Sequence, residues 1–341
     1  MLRRSLLVPV AALALTLAAC GEKDETARDG AAPAPQLDPP QAAEPVAGPP
    51  VEDAPPGRVV RVGATPEGVA VDPESHVAAV AVQDPPRLVL VDIRTGRKLR
   101  EVRLPSGARH VSLAAPGGPF LVPCEEADRL VEVDPRTGEA TETEAGDNPH
   151  DAAAIGPRRY TADEFGATMT VVRSGRARAT IPVDAQPGGI AAVGGKLYVN
   201  AVRSYTIEEY SGGDRPVGGG SQSAGLGPSH VVEGPEGRIA ISDTRGRALV
   251  VYDTQPRLRF RARVPLGGTA VGLAGDPGRG TVWVTLSERA RAVPVDLRPA
   301  KPTVGKAVPT ARNPLSMGVD TSTGRLAIAS KADGTLQLVD P

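Results

Sequence analysis

Residues 227–253 read GPSHVVEGPEGRIAISDTRGRALVVYD, and their reading decides the fold. A short β-rich run covers residues 230–232, a Gly-Pro turn follows at 234–237, a second run covers 238–242, and a polar loop leads to a third at 248–252. β-Branched and aromatic residues suit a pleated backbone, whereas clustered Gly, Pro and Asp break it, so the pattern predicts short strands joined by tight turns.

The same unit recurs along the chain. Its first position falls at Pro66, Ala108, Pro149, Pro187, Pro228, Gly268 and Pro314, at steps of about 40 residues. A repeat of that length built from short strands is the signature of propeller blades, because one four-stranded unit cannot bury both of its faces alone. Within the first unit, residues 68–71, 77–82, 88–91 and 98–104 are four β-rich runs separated by turn residues, which predicts a four-stranded meander. Several runs are apolar throughout, as expected of strands covered on both faces. The chain is therefore expected to be all-β, a seven-bladed β-propeller of four-stranded antiparallel blades. The last unit supplies only three runs, at 316–319, 325–330 and 335–339, while one run at 58–62 precedes the first unit. Pairing these completes the last blade with the N-terminal strand and closes the ring.

The segments LYVN at 197–200, Pro-x-Gly-Val-Ala at 66–70 and Val-Asp-x-x-Thr-Gly at 91–96 and 133–138 are similar to those of the YVTN-type propeller family. That resemblance spans residues 58–341 and implies the same seven-bladed fold. Related propellers include lactonases and virginiamycin B lyases, so it also implies two classes of activity. His230 resembles the histidine those lyases carry at the start of a blade. Their metal site needs a downstream Glu-x-His, and no histidine follows His230 in this chain.

The N-terminus carries Arg3 and Arg4, an apolar run over 6–19 and then Cys20. The run is too short to span a bilayer and too soon followed by polar residues, so residues 1–19 are expected to be an export signal. Leu17-Ala18-Ala19-Cys20 resembles the lipobox of bacterial lipoproteins, which implies cleavage before Cys20 and lipidation of its sulfur. A lipid-anchored protein on the extracytoplasmic side of the bacterial envelope is expected, with the membrane as one partner through that anchor. Residues 20–57 are rich in Pro, Ala and acidic residues and poor in large apolar ones, so they are expected to form a disordered tether before the propeller at 58–341. The formal net charge of −1 gives no electrostatic case for nucleic acid.

In a four-stranded meander, the turn before the first strand and the loop between the second and third emerge at the same end. Side chains from both sets should ring one mouth of the central channel. His110 and His230 occupy one repeat position, with Asp151 in register and His150 one residue earlier. The second-to-third-strand loops add Glu125, Glu126, Asp163, Glu164 and Asp243. These nine residues are the candidate ligand-binding set, for an unknown protein or small molecule. Imidazole and carboxylate together also suit a divalent metal or acid–base chemistry, so a metal-assisted hydrolase or lyase at the same mouth is the alternative to a binding or scaffold module. Asp92, Asp134, Asp253, Asp296 and Asp340 recur at the ends of third strands and are expected to brace turns. Cys124 aligns with Val82 and is expected to be a small buried side chain without a disulfide partner. The run at 211–220, SGGDRPVGGG, reads as a flexible loop.

Overall fold

The structure, a computed structural model, describes residues 41–52 and 54–341; the expected signal, Cys20 and the first part of the tether lie outside the described residues. Seven antiparallel sheets follow one another along the chain, the first six meanders in sequence order and the seventh completed by the N-terminal strand. The first strands of the blades are Ala64–Asp72, Ser112–Leu113, Pro149–Ile155, Pro187–Val193, Pro228–Glu233, Ala270–Asp276 and Pro314–Val319. Contacts between neighbouring blades concentrate on these first strands, which surround the axis, and the fourth strands face outward. The outer strand Lys98–Arg103 is accordingly mostly exposed, while Val77–Asp84 is buried along nearly its whole length.

Why the second and third strands read as unbroken apolar runs is visible in the packing. Ala79, Ala81, Leu88 and Leu90 of blade one face Phe120, Val122 and Cys124 of blade two. Their alternates Ala78, Val80, Val89 and Val91 face Ala327, Ala329, Leu336 and Leu338 of blade seven. Period-two alternation thus persists, but both faces are core.

The ring closes as the sequence predicts. Arg58–Arg61 pairs antiparallel with Thr335–Val339, in the register Arg58 with Leu338 and Arg61 with Thr335. The seam is pinned by a buried amide. Gln337 Nε2 donates to the Pro56 carbonyl at 2.9 Å and to the Pro309 carbonyl at 3.1 Å, and its Oε1 accepts from Ala311 N–H at 3.2 Å. One side chain therefore ties the N-terminal lead-in, blade six and the start of blade seven together.

Two readings change. The run at 211–220 is not all loop, because Gly218–Ser223 forms the outer strand of blade four against Thr206–Ser211. Low side-chain content hid a strand whose support comes from backbone pairing. Blade six has its outer strand split into Thr303–Val304 and Val308–Pro309, both paired with Arg291–Asp296, with Gly305 at the break.

Candidate functional site

A register shift sits near the start of the first strand in blade after blade: between Pro66 and Val69, Pro149 and Asp151, Pro187 and Gly189, Pro228 and Val231, Ala270 and Leu273, and Pro314 and Ser316. An irregularity of this kind bends a strand and re-aims the side chains beside it. Here it turns the residues after each blade-start proline into the channel. Blade two has only Ser112–Leu113 as its first strand, so Arg109 and His110 reach the channel from the segment before it.

These residues line a cavity of about 360 Å³ at one mouth of the channel. Glu67, Arg109, His150, Gly188, Ser229 and Leu315 come from one repeat position, and His110, His230 and Ser316 from the next. Glu164 and Lys331 enter from second-to-third-strand loops, and residues 42–47 pass over the top.

The histidines meet across the ring. His110 of blade two stacks on His230 of blade five, with centroids 4.4 Å apart and planes 8° from parallel, and His150 tilts against His110 at 4.5 Å. His110 Nδ1 lies 3.3 Å from Asp151 Oδ2. Asp151 is held by Ile190 N–H at 3.0 Å and by its neighbour Ala152 N–H at 2.8 Å, so the carboxylate is fixed before any ligand arrives. His230 Nδ1 is 3.3 Å from Ser229 Oγ, which joins a hydroxyl ladder to Ser242 at 2.8 Å and Thr244 at 2.7 Å.

Around His150 the charges balance internally. Arg109 Nε donates to Glu125 at 2.8 Å, its terminal NH2 donates to Glu164 at 2.7 Å, and Gln186 Nε2 donates to Glu164 at 3.0 Å. His150 Nδ1 lies 3.3 Å from Glu125 and 3.1 Å from Glu164, close enough for ion pairing but without the alignment of a directed hydrogen bond. Burial opposes the imidazolium, yet the flanking Glu125 and Glu164 carboxylates overcome it and raise the His150 pKa to about 9. Glu164 moves the other way: burial raises it, but His150, Arg109 and Gln186 together bring it down to about 2. Glu125 is lowered by the same His150 and Arg109, again against burial. His230, in contrast, is driven well below the usual histidine range by burial and then by its histidine neighbours. One mouth therefore holds a protonated and a neutral imidazole at neutral pH.

Glu125, His150 and Glu164 each offer a ligand atom, all within 4.8 Å of one another. As a divalent metal site the set fits poorly. Arg109 already bridges the two carboxylates, and His150 carries a proton on the face a metal would need.

The remaining candidates separate by place. Asp163 is fully buried and accepts from Thr161 at 2.7 Å, Thr168 at 3.0 Å and Thr170 at 2.7 Å; burial raises its pKa against those bonds. Asp243 is equally buried and accepts from Leu226, Gly227 and Gly246 N–H groups at 2.9, 3.0 and 3.0 Å. Both brace loops and neither lines the cavity. Glu126 is exposed and outside it as well. Cys124 is wholly buried, and burial pushes its thiol up to about 12, so it is inert. The recurrent aspartates brace turns at Asp92, Asp134 and Asp296, which accept from N–H groups two residues on at 2.9, 2.8 and 3.0 Å. Asp253 and Asp340 pair with arginines instead.

Sequence reasoning missed Glu67, Arg109, Ser229, Asn313 and Ser316. Four of them stand in the two repeat columns that hold His150 and His230, so the register of the repeat was the signal that could have found them.

Fold and mouth together define a seven-bladed β-propeller with a polar, histidine-lined channel end. The β-propeller domain of Myceliophteria thermophila Cps50 (Swd1) is similar, at a TM-score of 0.70 and 11% identity over 82% of this chain and 97% of that one. So is Kuenenia stuttgartiensis hydrazine synthase, at 0.70 and 17% identity over 83% and 97%. Virginiamycin B lyase from Staphylococcus aureus gives 0.67 and 11% identity over 83% and 99%. No protein-family model matches the chain. No curated protein matches it either. At these identities the likeness shows the fold alone.

Proposed function

We propose that the protein is a lipid-anchored extracytoplasmic binding module that takes its ligand or protein partner at the histidine mouth. The observation that carries this reading is the convergence of His110, His150 and His230, from three different blades, on one cavity of about 360 Å³. Ligand sites are concave, with a few converging polar groups held rigidly, and the fixed Asp151 and the Arg109–Glu164 pair supply that rigidity. The anchor on Cys20 and the envelope location rest on the sequence of residues 1–20.

The test is affinity capture from bacterial envelope extract, with wild type compared against His230→Ala. A component retained by wild type and lost with the variant supports the reading. Equal retention by both, or none by either, counts against it.

A second reading is favoured by the opposite protonation of His150 and His230. A neutral imidazole and an imidazolium, each packed on His110, are a base and an acid at one mouth, which suits a hydrolase or lyase acting on lactone-type substrates. The likeness to virginiamycin B lyase is consistent with this class. The internally neutralised Glu125–His150–Glu164 cluster supports a metal-independent form of it. Turnover of a lactone that His230→Ala abolishes and EDTA leaves intact would establish this version.

A further inference from the structure

The chain supplies its own roof over the mouth. Residues 41–48 contain no helix or strand, and each hydrogen bond that holds them, among the described residues, is made to their main chain. Tyr205 Oη donates to the Gln41 carbonyl at 2.9 Å, and Arg245 donates to the carbonyls of Gln41 and Ala42 at 3.0 and 3.5 Å. Ser287 Oγ donates to the Val46 carbonyl at 2.8 Å, and Gly48 N–H donates to Asn313 Oδ1 at 2.7 Å. These four side chains come from successive blades, four to seven, and form an arc along one side of the mouth. Arg245 also bonds to Tyr205 and lies over its ring at 5.6 Å, so this part of the arc is fixed as a unit.

Shape matches hydrogen bonding at both ends of the segment. A Cβ on Gly227 would stand 2.7 Å from the Cβ of Ala43, and a Cβ on Gly48 would stand 2.8 Å from the Glu288 carbonyl oxygen. Each glycine marks a place where one backbone must approach another. The segment Ala42-Ala43-Glu44-Pro45-Val46-Ala47 has small or proline side chains apart from Glu44 and Val46, both of which are exposed. Proline restricts an extended chain beforehand, which reduces the entropy lost on docking.

We propose that this arc is a binding site for an extended polypeptide, read through its main chain, and that residues 41–48 occupy it in cis. An incoming segment with small or proline side chains and a glycine at the Gly48 position fits the same contacts and displaces the roof. The proposal rests on the reading of the mouth as a binding site, because the cavity it uncovers is the histidine one. It adds that the partner is an extended peptide and that the chain's own segment competes with it.

The experiment uses the full chain and the labelled synthetic peptide QAAEPVAGPP, which reproduces residues 41–50. A tethered segment acts at an effective concentration on the order of millimolar, so wild type should bind the peptide poorly at ~0.1 mM. In wild type, the Gly48 amide, which donates to Asn313 Oδ1, should exchange at least about tenfold slower than the same amide in the free peptide. Gly48→Val forces a side chain against the Glu288 carbonyl, so the amide at position 48 should exchange at nearly the rate of the matching free peptide, and the labelled peptide should bind in trans. A peptide of shuffled sequence that keeps the glycine in place should bind within about fivefold of the first, since side chains are not read. Adding Arg245→Ala and Ser287→Ala to Gly48→Val should abolish binding. Free-peptide exchange rates in wild type, a roof that Gly48→Val fails to loosen, or no gain of peptide binding when it does loosen would each overturn the proposal. So would equal binding by the triple variant or loss of binding on shuffling. None of these readouts uses a histidine, so capture insensitive to His230→Ala would sink the mouth reading separately.

Discussion

His110 and His230 stack across the channel at 4.4 Å between centroids, although they come from blades two and five on opposite sides of the ring. Two parallel imidazoles at that spacing tolerate at most one positive charge between them, because like charges so close repel. His230 is kept neutral by burial and by its histidine neighbours. The C2 proton resonances should therefore separate His230 from His150. His230 should show no titration step in the ordinary histidine range, while His150 should titrate near 9. A His230 midpoint at or above the ordinary histidine value would refute the packing described for the stack.

The stability of the mouth should follow His150. Its folded pKa of about 9 lies above the unfolded value of 6.5, so it holds its proton more tightly in the folded state. That contribution is complete below pH 6.5 and is lost as pH rises through 9, by about 2 kcal/mol for a coupled buried group. Urea unfolding at pH 6.5 and 9 should show wild type losing stability over this interval and His150→Gln losing much less. Parallel pH dependence in the two proteins would count against the Glu125–His150–Glu164 cluster as drawn.

Arg109, together with the proton on His150, keeps that cluster from being a cation site. Its Arg109→Ala variant leaves Glu125 and Glu164 facing one another with only His150 between them. Because the arginine is 43% exposed, solvent screens part of the loss, and the expected cost is about 1–2 kcal/mol. The same variant should gain affinity for Mn²⁺ or Zn²⁺, since two carboxylates and a histidine then converge without a fixed guanidinium. Calorimetric titration of wild type and variant with Mn²⁺ measures this. Wild type binding the ion as tightly as the variant would overturn the account of Arg109.

Cys124 should be silent in the folded protein. It is fully buried between blades one and two, and a thiol whose pKa is pushed up to about 12 supplies almost no thiolate at neutral pH. Ellman's reagent should report no reactive thiol at Cys124 in native protein and one after denaturation. Fast native labelling would mean that the blade-one to blade-two contact opens readily.

How much of this was legible in the sequence divides along physical lines. The blade count, the closing strand and the mouth at which His110, His150 and His230 gather all follow from the period of the repeat and the sidedness of a meander, which are local properties. The irrelevance of Asp163 and Asp243 to the cavity was not legible. Whether a carboxylate at a strand end faces a channel or folds back is decided by the donors within its reach, here the Thr170 hydroxyl for Asp163 and the Gly227 N–H for Asp243, which come from other parts of the chain. The roof was hidden for a different reason. Residues 41–48 carry no apolar periodicity, and their placement comes from main-chain bonds to Tyr205, Arg245, Ser287 and Asn313, which leave no mark on the composition of the segment itself.

Gln337 offers the sharpest test of ring closure. It is wholly buried, and its amide serves the Pro56 and Pro309 carbonyls and the Ala311 N–H where the two ends of the ring meet. Gln337→Leu preserves much of the volume but leaves those groups without the amide, and each buried group left unpaired costs about 1–3 kcal/mol. Since the seam can relax toward water at Pro56, a total of about 2–4 kcal/mol is expected rather than the full sum. The loss should be local first. Amide exchange should accelerate in Arg58–Arg61 and Thr335–Val339 before it does in blades two to five. Gln337→Glu provides the finer comparison, because it keeps the acceptor for Ala311 but removes the donors for both carbonyls. It should be at least as destabilising as the leucine at neutral pH, where a buried carboxylate would face two carbonyl oxygens, and should recover on acidification as it gains a proton to donate. Uniform acceleration of exchange across all seven blades would mean that the seam is no weaker than the rest of the ring, and that the two chain ends are held by strand pairing alone.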